Sequence, residues 1–145
     1  MKAEDKAREY FKSGCNCSQA VLLAFAEDVG LDEVTAKRVA LGLGGGIGRM
    51  REVCGAVSAA AIVLGMVFGD GPEGKAAAYK KIQEFARRFR AESGSIICAD
   101  RLGLQREFSD PCPERRTDAY YEKRPCAEIC ADAARIVSEI IEKRD

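Results

Sequence analysis

The chain contains no histidine, and that single gap removes several chemistries at once. Ser-His-Asp and Cys-His catalysis, histidine-ligated haem, Rieske centres and every mixed Cys/His zinc site need an imidazole. Tryptophan is also missing and aromatic residues make up only 7% of the sequence, so the 47% hydrophobic content implies a core of aliphatic side chains and alanine. Net charge is absent too, since Lys and Arg together number 23 and so do Asp and Glu. No overall field draws in DNA, RNA or an anionic membrane, which argues against a nucleic-acid partner. The first residues, from Met1 to Glu9, mix both charges and hold no apolar signal core. The longest uncharged run falls short of the roughly 20 apolar residues that a membrane span requires. A cytoplasmic protein without membrane insertion is therefore expected. β-branched residues never alternate with polar ones over five positions, so no strand is expected either. Adjacent acids such as Glu27 and Asp28 fall at a predicted helix end, and no residue is assigned a catalytic acid or base role.

What the chain does have is a stretch without charge from Cys54 to Phe68, in a sequence where charged residues make up 32%. This segment is expected to be the central helix. Around it the apolar positions recur at helical spacing. Ala3 to Lys12 forms a short amphipathic helix carrying Ala7, Tyr10 and Phe11, broken by Ser13 and Gly14. With Asn16 or Ser18 as its cap, the next helix puts Cys17, Val21, Ala24 and Phe25 on one face, and Gly30 closes it. Asp32 caps another through Leu41, with Val34, Val39, Ala40 and Leu41 as its apolar positions. Over 73–91 a long amphipathic helix presents Ala78, Ile82, Phe85 and Phe89 to the core, and a short helix follows over 96–102. From 103 to 125 the polar, proline-bearing chain reads as loop with one short helical turn. The last helix runs from 126 to about 144, with Ile129, Ala133, Ile136, Val137, Ile140 and Ile141 on one side. The expected fold is all-α: a single domain over 1–145, six or seven helices packed round the central apolar one.

Seven cysteines are present, an odd number. In a reducing compartment structural disulfides are disfavoured, so abundant cysteine points to metal, cluster or thiol redox work. Four of them, Cys17, Cys54, Cys98 and Cys126, each stand at or near the start of a separate predicted helix. A helix start offers unpaired N–H groups and the positive end of a dipole, which lowers a thiol's pKa and stabilises thiolate. Bringing four such starts together suits a tetrathiolate iron–sulfur or zinc site, or a dithiol pair with resolving partners. No two of the cysteines form a CxxC pair. The glycines 42, 44, 45, 46 and 48 precede Cys54, but no register gives GxGxxG and no Lys-Ser/Thr follows, so a nucleotide cradle is not expected. Glycine there lets the backbone pass close to a bulky centre or another helix, with Gly45, Gly46 and Gly55 as cofactor-contacting positions whose N–H groups reach cluster sulfurs. Arg49 and Arg51 lie just before Cys54 and are placed to lower its pKa or to meet an anion. Cys15 forms a CxC with Cys17, Cys112 sits between two prolines as an exposed thiol, and Cys130 is read as a packing residue.

The order Asn16-Cys17-Ser18-Gln19-Ala20-Val21, glycine-rich loop, Cys54-Gly55-Ala56, Gly94-Ser95-Ile96-Ile97-Cys98, then Cys126 ahead of Asp132-Ala133-Ala134 resembles the C_GCAxxG_C_C family of redox-active proteins. The resemblance spans nearly the whole chain and implies that Cys17, Cys54, Cys98 and Cys126 are the functional set. It also implies kinship with the N-terminal domain of split-Soret cytochromes c, where related cysteines hold an iron–sulfur cluster. One departure is plain: the family's CGAxxG ends in glycine, and here the position is Ala59, one methyl larger. The expected function is a small electron-transfer or redox-sensing module with a protein redox partner, rather than an enzyme with its own substrate. The alternatives are a thiol–disulfide redox protein using the same cysteines and a structural zinc or interaction domain. A homo-oligomer is compatible with either.

Overall fold

A computed structural model describes residues 1–105 and 110–143. Among the described residues it is all-α, with eight helices: α1 (Ala3–Lys12), α2 (Cys17–Phe25), α3 (Glu33–Ala40), α4 (Gly55–Phe68), α5 (Gly74–Ser93), α6 (Cys98–Leu102), α7 (Asp118–Lys123) and α8 (Cys126–Glu142). A 3-10 turn, Leu41–Leu43, follows α3. The eighth helix, α7, is the short helical turn anticipated in the polar segment. Position 144, to which the last helix was expected to reach, lies outside the described residues, as do 106–109 of that segment.

Helix α4 packs against α2, α5 and α8, and α2 and α8 touch each other and α1. Ala56, Ala59 and Ala60 are fully buried on α4, so the neighbouring backbones come close. Ala59, where the family motif carries glycine, sits in this core. The long helix α5 contributes Phe85 and Phe89, both fully buried and stacked with ring centroids 5.6 Å apart. Helix α8 inserts Ile129, Ala133, Ile136, Val137 and Ile140. Each of these large side chains is worth about 1.5–3 kcal/mol of burial. The ion pairs that cross between helices, Arg8–Glu128 at 2.9 Å, Arg88–Glu139 and Arg135–Glu92, are solvent-facing and add about 0–1 kcal/mol each. Apolar contact sets the bundle.

Two expectations are corrected. On α3 the residues Val34 and Val39 and the adjoining Leu41 are exposed, at 64%, 49% and 61%. The buried face is Ala36 and Ala40 instead. Small residues win there because α2 lies close: the buried hydroxyl of Ser18 donates to the Ala40 carbonyl at 2.7 Å, which leaves no room for a branched side chain. The second correction concerns 96–97. Helix α6 begins at Cys98, and Ile97 is extended, bridging antiparallel to Val53. The reason is local: Ser95 accepts the Ile97 N–H at 3.0 Å and bonds Asp100 at 2.9 Å, a turn that delays the helix.

Truncating Phe89 to alanine is expected to cost about 3–5 kcal/mol in urea unfolding. Val34→Ser, at a position the periodicity alone assigns to the core, is expected to stay within about 0.5 kcal/mol of wild type.

Candidate functional site

Each of the four family cysteines occupies a helix start. Cys17 is the first residue of α2, behind a capping box in which Asn16 accepts the Gln19 N–H at 2.9 Å and the Gln19 side chain accepts the Asn16 N–H at 3.0 Å. Asn16 also donates to the Leu41 carbonyl, tying this start to the end of α3. Cys54 is the N-cap residue of α4, while Cys98 and Cys126 open α6 and α8.

The glycine loop explains how Cys54 and Cys98 meet. Gly45, Gly46, Ile47, Gly48, Arg49 and Arg51 all have positive φ, between 55° and 70°. Ile47, Arg49 and Arg51 are the three non-glycine residues with this conformation among the described residues, and a β-branched residue there is strained. The loop is held by backbone bonds that reach back across it, such as Gly48 N–H to Gly42, Arg51 N–H to Gly45 and Glu52 N–H to Gly46. A Cβ on Gly46 would lie 2.6 Å from the Glu52 nitrogen and 2.7 Å from the Cys98 Cβ. Glycine is needed because the Cys98 side chain sits directly against the backbone. Gly55 is similarly wedged, 3.0 Å from both the Leu43 oxygen and the Ser18 nitrogen. Beyond the loop the chain pairs with 96–99: Cys54 N–H donates to Ile96, Cys98 N–H to Glu52 and Ala99 N–H to Arg51.

Cys17, Cys54, Cys98 and Cys126 all line one cavity of about 370 Å³, together with Gly45, Gly46 and Gly55. Among the described residues the N–H groups of Gly45 and Gly46 have no acceptor in the chain. Arginine dominates the charged part of the wall: among the described residues it holds Arg49, Arg51, Arg101, Arg116 and Arg124 against one acid, Glu114. Arg101 donates to the Cys54 sulfur at 3.3 Å and Arg51 to the Cys98 sulfur at 3.7 Å. The partner expected for Cys54 from its neighbours in sequence is therefore supplied by α6 instead. Arg49 turns away to the carbonyls of Asp110 and Cys112. Arg101 was not singled out from the sequence; its place three residues after Cys98, on the same short helix, is the signal that could have found it.

Burial overrides the helix-start effect at Cys54. It pushes Cys54 above the ordinary thiol range, although Arg101 and the Ala56 and Val57 N–H groups pull the other way. The neighbouring thiols of Cys17 and Cys126 interact so as to favour the ionised form of Cys17 and the protonated form of Cys126. For Cys17, the Cys130 thiol and burial reverse the balance and hold it well above the ordinary range; for Cys126, burial adds to the rise. All seven cysteines are free thiols. Cys130 is fully buried beside the Cys17 carbonyl and does not line the cavity, and Cys112 is exposed.

Four thiols with no carboxylate among them make a tetrathiolate donor set, the kind that iron–sulfur clusters and structural zinc both use. Among the described residues no group of three or more Cys, Asp or Glu side chains is arranged to hold a metal ion. A tetrahedral zinc, with Zn–S at about 2.3 Å, needs its sulfurs within about 4 Å of one another.

A helical bundle that gathers thiols from four helix starts round one arginine-bearing cavity is a cysteine-centred domain. The chain matches the family described as "Putative redox-active protein (C_GCAxxG_C_C)" over residues 15–140, a span that holds all four cysteines. It belongs to that family of redox-active proteins. No curated protein and no solved structure matches it significantly.

In metal-free, reduced protein at pH 7, iodoacetamide is expected to alkylate Cys112 first and the fully buried Cys130 last, as peptide mass spectrometry will show. Raised thiol pKa values also set a pH window. The stability they contribute is complete below the unfolded thiol pKa of about 8.5 and falls by about 1.4 kcal/mol per pH unit per group above it, until the folded pKa is passed. Thermal melts of the metal-free protein should therefore decline from about pH 8.5 upward, less steeply in Cys54→Ser. Gly46→Ala is expected to lower the melting temperature at every pH, because its Cβ meets backbone that cannot yield.

Proposed function

We propose that this protein is a small electron-transfer or redox-sensing module in which Cys17, Cys54, Cys98 and Cys126 hold an iron–sulfur cluster. The observation that carries this reading is the convergence of the four family cysteines on one cavity whose wall offers guanidinium donors to two of their sulfurs. When bound, such a cluster supplies one-electron transfer. The chain's own part is to present the sulfurs from four rigid helix starts, to bring the Gly45 and Gly46 amides alongside, and to shield the site beneath the segment carrying Pro111 and Pro113. A reducing compartment and a protein redox partner belong to this reading.

A second reading rests on Cys17 and Cys126, two thiols of one cavity wall that perturb each other's ionisation. Two neighbouring thiols can close a disulfide, giving two electrons and two protons to a peroxide that is reduced to water.

Anaerobic purification followed by visible absorption spectroscopy and iron and sulfide analysis separates the two. The cluster reading predicts a coloured protein with stoichiometric iron and sulfide, iron lost in Cys54→Ser and kept in Cys130→Ser. A colourless, iron-free protein after anaerobic reconstitution overturns it. In that event a Cys17–Cys126 disulfide after mild peroxide treatment establishes the thiol reading, and tightly bound zinc with inert thiols points to a structural site.

A further inference from the structure

Two arginines in the cavity wall have an unusual set of partners. Arg51 is 9% exposed, and its guanidinium meets the Cys98 sulfur. Arg101 meets the Cys54 sulfur, stacks 4.9 Å over the buried Phe89 ring, and keeps its Nε buried without any acceptor. Among the described residues neither guanidinium forms an ion pair with a carboxylate. Their neighbours are compensated: Arg124 pairs with Glu114, and Arg116 donates to the carbonyls of Phe11 and Cys15. Arg51 is a buried cation and Arg101 a half-buried one with its Nε closed off from solvent; a cation withdrawn from water without a counter-ion is unfavourable, and a neutral thiol is a poor substitute for one. The backbone bears a further cost to deliver Arg51, which sits at φ 64°. A fold that maintains both features carries a positive charge waiting for a negative one.

We infer that Arg51 and Arg101 are the counter-cations of the anionic centre held by the four cysteines, binding it through the Cys98 and Cys54 sulfurs. This rests on the cluster reading and extends it to how the site is tuned. Four thiolates round an iron–sulfide core leave a net anion, and the two guanidinium groups that meet its ligand sulfurs offset that charge. The arrangement is one-sided. Cys54 and Cys98 receive guanidinium hydrogen bonds, whereas among the described residues no guanidinium donates to the sulfur of Cys17 or Cys126. Reduction adds one electron, supplied by the redox partner, and no bond changes. A fixed cation beside the sulfurs favours the reduced form, so Arg51 and Arg101 raise the potential. They act through the ligands and are positioning residues.

The test uses the full chain with Arg51→Met, Arg101→Met and the corresponding lysine variants, each studied metal-free and after anaerobic loading with iron and sulfide. Redox titration of the loaded proteins should show a shift to more negative potential in both methionine variants, partly restored by lysine. Thermal melts should change sign with loading. Metal-free methionine variants should melt no lower than wild type, because an uncompensated charge has gone, and loaded ones should melt lower. Methionine variants that melt lower in both forms, with unchanged potential, overturn the proposal and leave the arginines a packing role. If no variant and no wild type takes up iron, the cluster reading fails by itself. The metal-free melts then still decide: a lower melting point in the methionine variants refutes the uncompensated charge, and an equal or higher one upholds it.

Discussion

The pairing of 51–54 with 96–99 is the contact on which the site depends. Three backbone hydrogen bonds, Cys54 to Ile96, Cys98 to Glu52 and Ala99 to Arg51, clamp two segments far apart in sequence. They place two cysteines side by side at the starts of α4 and α6. The same pairing carries Arg51 to the Cys98 sulfur, and α6 returns Arg101 to the Cys54 sulfur. Remove it and the cavity loses two thiols and two cations together.

Glycine makes that clamp possible. At Gly46 the chain presses against the Cys98 side chain, and at Gly55 it passes between Leu43 and Ser18, so a methyl at either site would collide with backbone. The strain recorded at Ile47, Arg49 and Arg51 is tolerated because the reach-back hydrogen bonds over-determine the loop. Rigidity of this kind is what a redox site asks of its scaffold. Sulfurs that do not move between oxidation states keep the cost of reorganisation small.

Electrostatics and burial pull the thiols in opposite directions. The helix starts and arginines favour thiolate, yet Cys54 and Cys126 are buried deeply enough to stay protonated when nothing is bound.

Much of this was legible in the residues. Periodicity located the helices, because a buried face must repeat with the helical turn, and the helix starts at Cys17, Cys54, Cys98 and Cys126 followed from their caps and breaks. The missing histidine narrowed the chemistry from composition alone. Periodicity misplaced α3, whose valines face solvent, because a close neighbouring helix admits only Ala36 and Ala40. It also ran helix through Ile97, where a turn and a cross-chain bridge took over. Sequence by itself determined an all-α chain with four thiols at helix starts, since those are properties of local pattern. Which arginine faces which sulfur, and that burial outweighs the helix dipole, only the tertiary structure decided. Both depend on distances between segments that local sequence does not encode.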